Sequence, residues 1–202
     1  MEPIFINNFL PEQVLNICRS YLMIKLNNKT YFSVDQTTNS LVTDYSDYLM
    51  ETIMDLSTPV IEQNVGKKLW PTYSFLRVYD KGSDLKPHTD RPSCEYTVAL
   101  CLGSDPEDKP YNIFLGEEDS SSDYKHIDME TKEMKSYRIE KKYPMTVNDA
   151  LIFQGQGKSH WRETCSHDHF ITVFLHYVDQ EGDLADYKFD QRTHLGKQKP
   201  SK

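Results

Sequence analysis

The sequence predicts a mainly β fold, an antiparallel β-sandwich or jelly roll, with helices from its N-terminal third packed on the outside. Three observations predict it. Apolar residues recur at helical spacing up to about residue 66, the repeat falls to two from Trp70 to about Val178, and turn-forming clusters cut that second region into short strands. With 202 residues, 38% hydrophobic and 12% aromatic, the chain is long enough for a sizeable core and fits one domain by size. The expected organisation is supporting helices in 1–69, a barrel in 70–178 and a C-terminal segment with a frayed tail in 179–202.

The elements follow in order. Ile4-Phe5-Ile6 is a short apolar run, and Pro11 opens a helix, since proline at the first helical position forfeits no hydrogen bond. Val14, Ile17, Cys18, Tyr21 and Leu22 give that helix one buried face, and Asn27-Asn28 ends it. Residues 31–34 read as an edge strand. Asp44 is the expected cap of a second helix carrying Tyr45, Leu49, Ile53 and Leu56, kinked or restarted at Pro59 behind Thr58 and ended near Gly66. Met50 and Met54 read as core filler.

From residue 70 the alternation sets which side chains share a face. Tyr73, Phe75, Arg77 and Tyr79 lie opposite Ser74, Leu76 and Val78, and Tyr96, Val98, Leu100 and Leu102 lie opposite Glu95, Thr97, Ala99 and Cys101. Residues 103–110 are loop by composition, 111–115 a short strand, 116–123 an acidic, Ser-rich loop and 125–142 a charged, solvated hairpin. The segment after Asp190 reads as a frayed tail.

Charge and cysteine usage bound the function classes. Thirty-one acidic residues against 23 basic give a net charge of −8, which works against broad contact with a phosphate backbone, so no nucleic-acid partner is expected. No apolar run approaches a membrane span, and the N-terminus lacks the layout of a signal peptide, so a cytoplasmic protein is the default expectation. Cys18, Cys94, Cys101 and Cys165 show no paired spacing and read as reduced thiols, with Cys94 and Cys165 expected toward the site.

Two His-x-Asp pairs occur, and chance alone would give roughly 0.6 of one. His126-Ile-Asp128 lies in a polar stretch and reads as a solvated loop pair. His88-Thr-Asp90 is framed by strands, where residues two apart point the same way, so it brings an imidazole and a carboxylate to one side. With His160 as third member, two histidines and one carboxylate make a facial triad that leaves three positions of an octahedral Fe(II) open.

In that frame the chain resembles the Fe(II)/2-oxoglutarate-dependent dioxygenases, most closely their prolyl 4-hydroxylase-like branch. The resemblance rests on Arg77-Val-Tyr79-x-x-Gly82 with His88-x-Asp90, on the strand from Thr97 to Leu102, on Asn148-Asp-Ala-Leu-Ile-Phe before His160, and on Phe170-Ile-Thr-Val-Phe. These run in the family's order over about half the chain. It implies a double-stranded β-helix, Fe(II), 2-oxoglutarate and O2 as reactants, and ascorbate as an optional reductant. Hydroxylation of a C–H bond in a peptidyl, for instance prolyl, or small-molecule substrate would release succinate and CO2.

The distal carboxylate of 2-oxoglutarate then needs a buried cation. Related hydroxylases supply Lys or Arg nine or ten residues after the distal histidine, where this chain has His169 and Phe170. Arg162 ranks first among the substitutes: two residues past His160 on a regular strand is about 6.6 Å, within reach of a guanidinium. Arg77 ranks second and His169 third, while Tyr79 and Thr172 match family positions that serve the same carboxylate. Trp161 and Arg91 are the candidate substrate contacts. The competing readings are a jelly-roll metal- or ligand-binding module without turnover, which would form no succinate, and a nucleobase-repair enzyme, which the acidic balance disfavours.

Overall fold

A computed structural model describes residues 1–28, 33–35, 40–122, 124–127 and 132–197. Its helices are α1 (Glu12–Asn27) and α2 (Tyr48–Val65). The strands are β1 (Ile4–Ile6), β2 (Ser33–Asp35), β3 (Ser40–Tyr45), β4 (Leu69–Asp80), β5 (Leu85–His88), β6 (Tyr96–Asp105), β7 (Tyr111–Glu118), β8 (Tyr124–Ile127), β9 (Met134–Met145), β10 (Ala150–Phe153), β11 (Ser159–Arg162) and β12 (His169–Asp179). They form two antiparallel sheets, ordered β1-β10-β6-β12-β4-β3-β2 and β5-β11-β7-β9-β8. Together these make a jelly roll, the double-stranded β-helix.

The alternation of residues along the central strands builds two cores on opposite faces of the larger sheet. Leu76 and Val78 of β4, Val98 and Leu100 of β6 and Val173 and Leu175 of β12 pack with Cys18 and Leu22 of α1 and Met50, Ile53, Met54 and Ile61 of α2. Their neighbours Tyr79, Ala99, Cys101, Phe170 and Phe174 turn the other way and meet Tyr111, Ile113, Leu115 and Met145 of the smaller sheet. That second, inter-sheet core opens toward the site.

The sequence expectations need correction in the N-terminal third. Residues before 70 supply three strands as well as helices, because β1 pairs with β10 and β3 with β4. The expected edge strand over 31–34 is only partly within the described residues, as Ser33 and Val34 of β2. Asp44 lies in β3, and the cap of α2 is Asp47, whose carboxylate accepts from the Leu49 and Met50 amides at 3.0 and 3.1 Å. Helix α2 runs unbroken through Pro59 to Gly66, which takes the left-handed conformation at φ 75°. Pro59 and Asp55, whose carbonyl the proline leaves without an amide partner, are both exposed, so that carbonyl faces water. Met50 and Met54 are fully buried, while Ile17 and Leu56 point to solvent.

Strand β6 runs on to Asp105 and β7 to Glu118, shortening the two loops expected there. The charged stretch forms the hairpin β8–β9, whose Tyr124 and Tyr137 cover Trp161 on the outer face of the smaller sheet. The C-terminal segment is tied down as far as it is described. Arg192 donates to the Ser46 hydroxyl at 2.6 Å, to Glu51 at 2.7 Å and to the Thr72 carbonyl at 2.8 Å. Asp190 accepts from Arg91 at 2.8 Å and Ser93 at 2.6 Å. A fragment starting at Trp70 loses β1 and β3 and bares the helix-facing core, so it should be insoluble. A soluble fragment with a cooperative melt would refute that expectation.

Candidate functional site

The site forms where β5 ends against β11. His88 pairs in register with His160, and their ring centroids lie 4.3 Å apart. The His88 Nδ1 lies 2.8 Å from the Lys86 carbonyl and the His160 Nδ1 lies 3.0 Å from the Lys158 carbonyl. An Nδ1–H bonded to its own chain two residues back fixes the tautomer, leaving each Nε2 lone pair free to bind. Both Nε2 atoms stand 3.5 Å from Asp90 Oδ1. The three ligand atoms lie within 4.8 Å of one another, the spacing of donors around one ion.

Asp90 does not reach this point by strand alternation, because β5 stops at His88. Instead its amide donates to the Gly155 carbonyl at 2.9 Å, and its Oδ2 accepts from the Thr97 hydroxyl at 3.0 Å. A Cβ at Gly155 would fall 2.3 Å from both Asp90 Oδ2 and Thr97 Oγ1, so only glycine allows the approach. Behind Thr97 stands the His176 Nδ1 at 3.1 Å, which completes a chain from His176 through Thr97 to the carboxylate. Thr97, Gly155 and His176 were not readable as site residues; the two glycines of Gln154-Gly-Gln-Gly157 are the only trace in sequence.

Electrostatics favour metal-ready protonation states. Burial works to raise the Asp90 carboxyl, but the facing His160 and His88 outweigh it and hold the group well below the usual carboxylate range. Burial, then the proximity of His160, pushes His88 down, favouring the neutral imidazole. Burial brings His176 down to about 4, so it is neutral at physiological pH. Thr97→Val keeps the shape and removes the hydrogen bond that orients Asp90. It should weaken divalent-metal affinity by about tenfold to a hundredfold while the fold is retained, as read by calorimetric titration beside circular dichroism.

Neither a protein-family model nor a curated protein sequence matches this chain. Solved structures do. Over 88% of this chain and 78% of the other, it superposes on the epimerase SnoN of nogalamycin biosynthesis in complex with Fe3+, alpha-ketoglutarate and nogalamycin RO, with TM-score 0.61 and 13% identity. The viral collagen prolyl hydroxylase of Paramecium bursaria Chlorella virus-1, in its 2-oxoglutarate complex, gives TM-score 0.57 at 11% identity over 88% of this chain and 96% of the other. A Pseudomonas putida prolyl 4-hydroxylase gives 0.56 at 10% over 86% and 91%. The fold is that of the Fe(II)/2-oxoglutarate-dependent oxygenases.

Within the oxygenase fold the remaining residues singled out in the sequence take distinct places. Arg162 faces inward and is 1% exposed, its guanidinium lying 4.8 to 5.4 Å from the ring centres of Tyr111, Phe170 and Tyr79. It donates once, from Nη1 to the Tyr111 carbonyl at 2.9 Å, while Nε and Nη2 are buried without a hydrogen-bond partner among the described residues. The buried Thr172 hydroxyl is likewise unpartnered. Buried donors left unpaired are costly, and a carboxylate would satisfy those of Arg162, so Arg162 fits the distal end of 2-oxoglutarate. Thr172 stands opposite Arg77 across the β12–β4 ladder.

Arg77 lines a cavity of about 170 Å³ together with His88, Asp90, His160, Tyr73, Phe75, Leu85, Phe174 and His176. Tyr79 is fully buried beside it, and its hydroxyl accepts from Arg77 at 3.4 Å. Arg91 sits at the rim, its guanidinium 4.3 Å from the ring centre of Tyr73, half-exposed. Trp161 needs correction as a substrate contact: alternation on β11 points it out of the barrel, into a stack with Phe114 and Tyr124. His169 lies at the start of β12 outside the cavity lining, and Lys158 is paired with Glu140. His126 is on β8 and is not part of the cluster, and Asp128 lies outside the described residues. All four cysteines are free and buried; Cys94 touches the Tyr73 hydroxyl at 3.1 Å.

Proposed function

We propose that this chain is an Fe(II)- and 2-oxoglutarate-dependent oxygenase that hydroxylates an unactivated C–H bond of a peptidyl or small-molecule substrate. The observation that carries the reading is the convergence of the two fixed Nε2 lone pairs and Asp90 Oδ1 on one point at the wall of a cavity. When bound, Fe(II) with 2-oxoglutarate and O2 supplies the oxidising power: one oxygen atom enters the substrate C–H bond, the other enters succinate, and CO2 leaves.

His88, Asp90 and His160 hold one face of the metal in this reading, and Thr97 keeps Asp90 turned toward it. Arg162 and Thr172 receive the distal carboxylate of 2-oxoglutarate, with Tyr79 and Arg77 beside it. The aromatic lining of Tyr73, Phe75 and Phe174 keeps water from the reacting centre. Ascorbate would serve as an external reductant.

No described helix is long and apolar enough to cross a membrane, and the buried free thiols suit a reducing compartment such as the cytoplasm. The experiment is anaerobic titration with Fe(II) and then 2-oxoglutarate, followed by succinate assay in air. One metal per chain, a metal-to-ligand absorption band on adding 2-oxoglutarate, and succinate formation are expected. Metal binding with neither band nor succinate would instead favour a binding module without turnover.

A further inference from the structure

We propose that His176 determines specificity in this cavity: its Nε2 accepts a hydrogen bond from the substrate, so that the molecule or residue oxidised carries an N–H or O–H donor beside an apolar body. This names a substrate class for the site just described and rests on the oxygenase reading.

Two hydrogen bonds decide which nitrogen of His176 can accept. The Asp90 carboxyl is ionised and can only accept, so the single hydroxyl proton of Thr97 goes to its Oδ2 at 3.0 Å. The Thr97 oxygen is left with lone pairs, and the His176 Nδ1 at 3.1 Å must carry a proton to meet them. Burial keeps the ring neutral, so it holds that one proton and Nε2 keeps its lone pair. Nε2 has no hydrogen-bond partner among the described residues.

The fold keeps this acceptor at the cavity. Alternation on β12 puts His176 on the face of Thr172 and Phe174, in register with Thr97 of β6. Beside it the β12–β4 ladder shifts register between Leu175 and Tyr177, an irregularity of the kind that re-aims side chains at active sites. The Tyr73 ring centre lies 4.5 Å from the imidazole and that of Phe174 lies 6.4 Å away, so the ring is held by packing as well as by Thr97. The other side-chain acceptors of the described lining have occupations of their own. In the oxygenase reading the Nε2 atoms of His88 and His160 and the Asp90 Oδ1 belong to the metal, while Asp90 Oδ2 accepts from Thr97 and the Tyr73 oxygen accepts from Arg91 Nε at 3.2 Å. His176 Nε2 is the acceptor of that lining left for a guest, set in a wall with Phe75, Leu85 and Phe174. A cavity of about 170 Å³ admits a small molecule or a single side chain. A guest that displaces water from Nε2 without supplying a donor leaves a buried acceptor unpaired, which is the basis on which such a site rejects it.

The test uses the full chain, isotope-labelled at the histidine nitrogens and loaded with Zn(II), which binds without turnover, and saturating 2-oxoglutarate. Calorimetry first establishes that metal and 2-oxoglutarate bind; failure there overturns the oxygenase reading itself. Proton–nitrogen correlation spectra then read the tautomer, the His176 signals being those missing from His176→Phe. The proton should sit on Nδ1, and a proton on Nε2 overturns the proposal. Pyrrole, 2-pyrrolidinone and N-methylacetamide are next titrated at up to millimolar concentration beside furan, γ-butyrolactone and methyl acetate, which carry oxygen in place of the N–H. At least one donor should bind and move the His176 Nε2 resonance, with its oxygen analogue at least about tenfold weaker. With metal and 2-oxoglutarate still saturating, His176→Phe should cut that preference to less than about threefold, and His176→Gln, whose amide can donate to Thr97 and accept from the guest, should keep part of it. A panel in which no donor binds, oxygen analogues that bind as well as the donors, or a preference that survives in His176→Phe overturns the proposal.

Discussion

His160→Ala should abolish metal binding and turnover together, while the fold persists. His160 is 2% exposed, wedged between His88 and the Phe153 ring at 4.8 Å, and in the proposed reading would give the metal a lone pair whose direction is fixed by the Lys158 carbonyl. Removing it leaves one imidazole and one carboxylate, a chelate that water competes with easily. The loss should exceed the roughly hundredfold typical for removing a mere supporting partner. Anaerobic Fe(II) or Mn(II) titration of His160→Ala, His88→Ala and the double variant measures it, with His126→Ala as the silent control. Stoichiometric metal in the double variant would refute the assignment.

The second large effect concerns Arg162. A two-point guanidinium–carboxylate contact shielded from water is worth a few kcal/mol, and at about 1.4 kcal/mol per tenfold its loss should raise the 2-oxoglutarate dissociation constant by two to three orders of magnitude. Arg162→Leu should leave metal affinity intact, since Arg162 contributes no ligand atom. The same substitution should stabilise the ligand-free protein or leave it unchanged, because it replaces a buried charge with two unsatisfied donors by an apolar side chain. Weaker co-substrate binding with an equal or higher melting temperature is a combination that general damage to the core cannot produce. Anaerobic titration of Arg162→Leu and Arg77→Leu, followed by the metal-to-ligand absorption band, compares the two cations directly. An Arg162→Leu variant with wild-type affinity would move the anchor to Arg77 or His169.

What the sequence made legible was whatever depends on parity. The faces of β4 and β6, with Arg77 and Tyr79 turned inward, follow from a repeat of two, and the order His88, Asp90, His160 was enough to single out the three residues that converge. The reasons for convergence were hidden. Asp90 lies past the end of β5 and is held there by Gly155 and Thr97, contacts 65 and 7 residues away in the chain that no local pattern records. Asp44 looked like a helix cap because aspartate favours that role, yet Asp47, equally suited, stands where the chain leaves β3. Trp161 looked like a substrate contact because it follows His160, and the same alternation that brings His160 in sends Trp161 out. The supposedly loose tail was misjudged because its polar residues find buried partners in Glu51, Thr72 and Ser93 that are remote in sequence.

The division of β4 and β12 between two cores has an evolutionary consequence. On each strand one set of alternate residues answers to the helices, and the other set answers to the inter-sheet core and its cavity, so the two can drift under separate selection with little conflict. A combinatorial library aimed at a new substrate could be restricted to positions 73, 75 and 174, which share the cavity wall, while the intervening positions are left untouched as the scaffold's own inheritance.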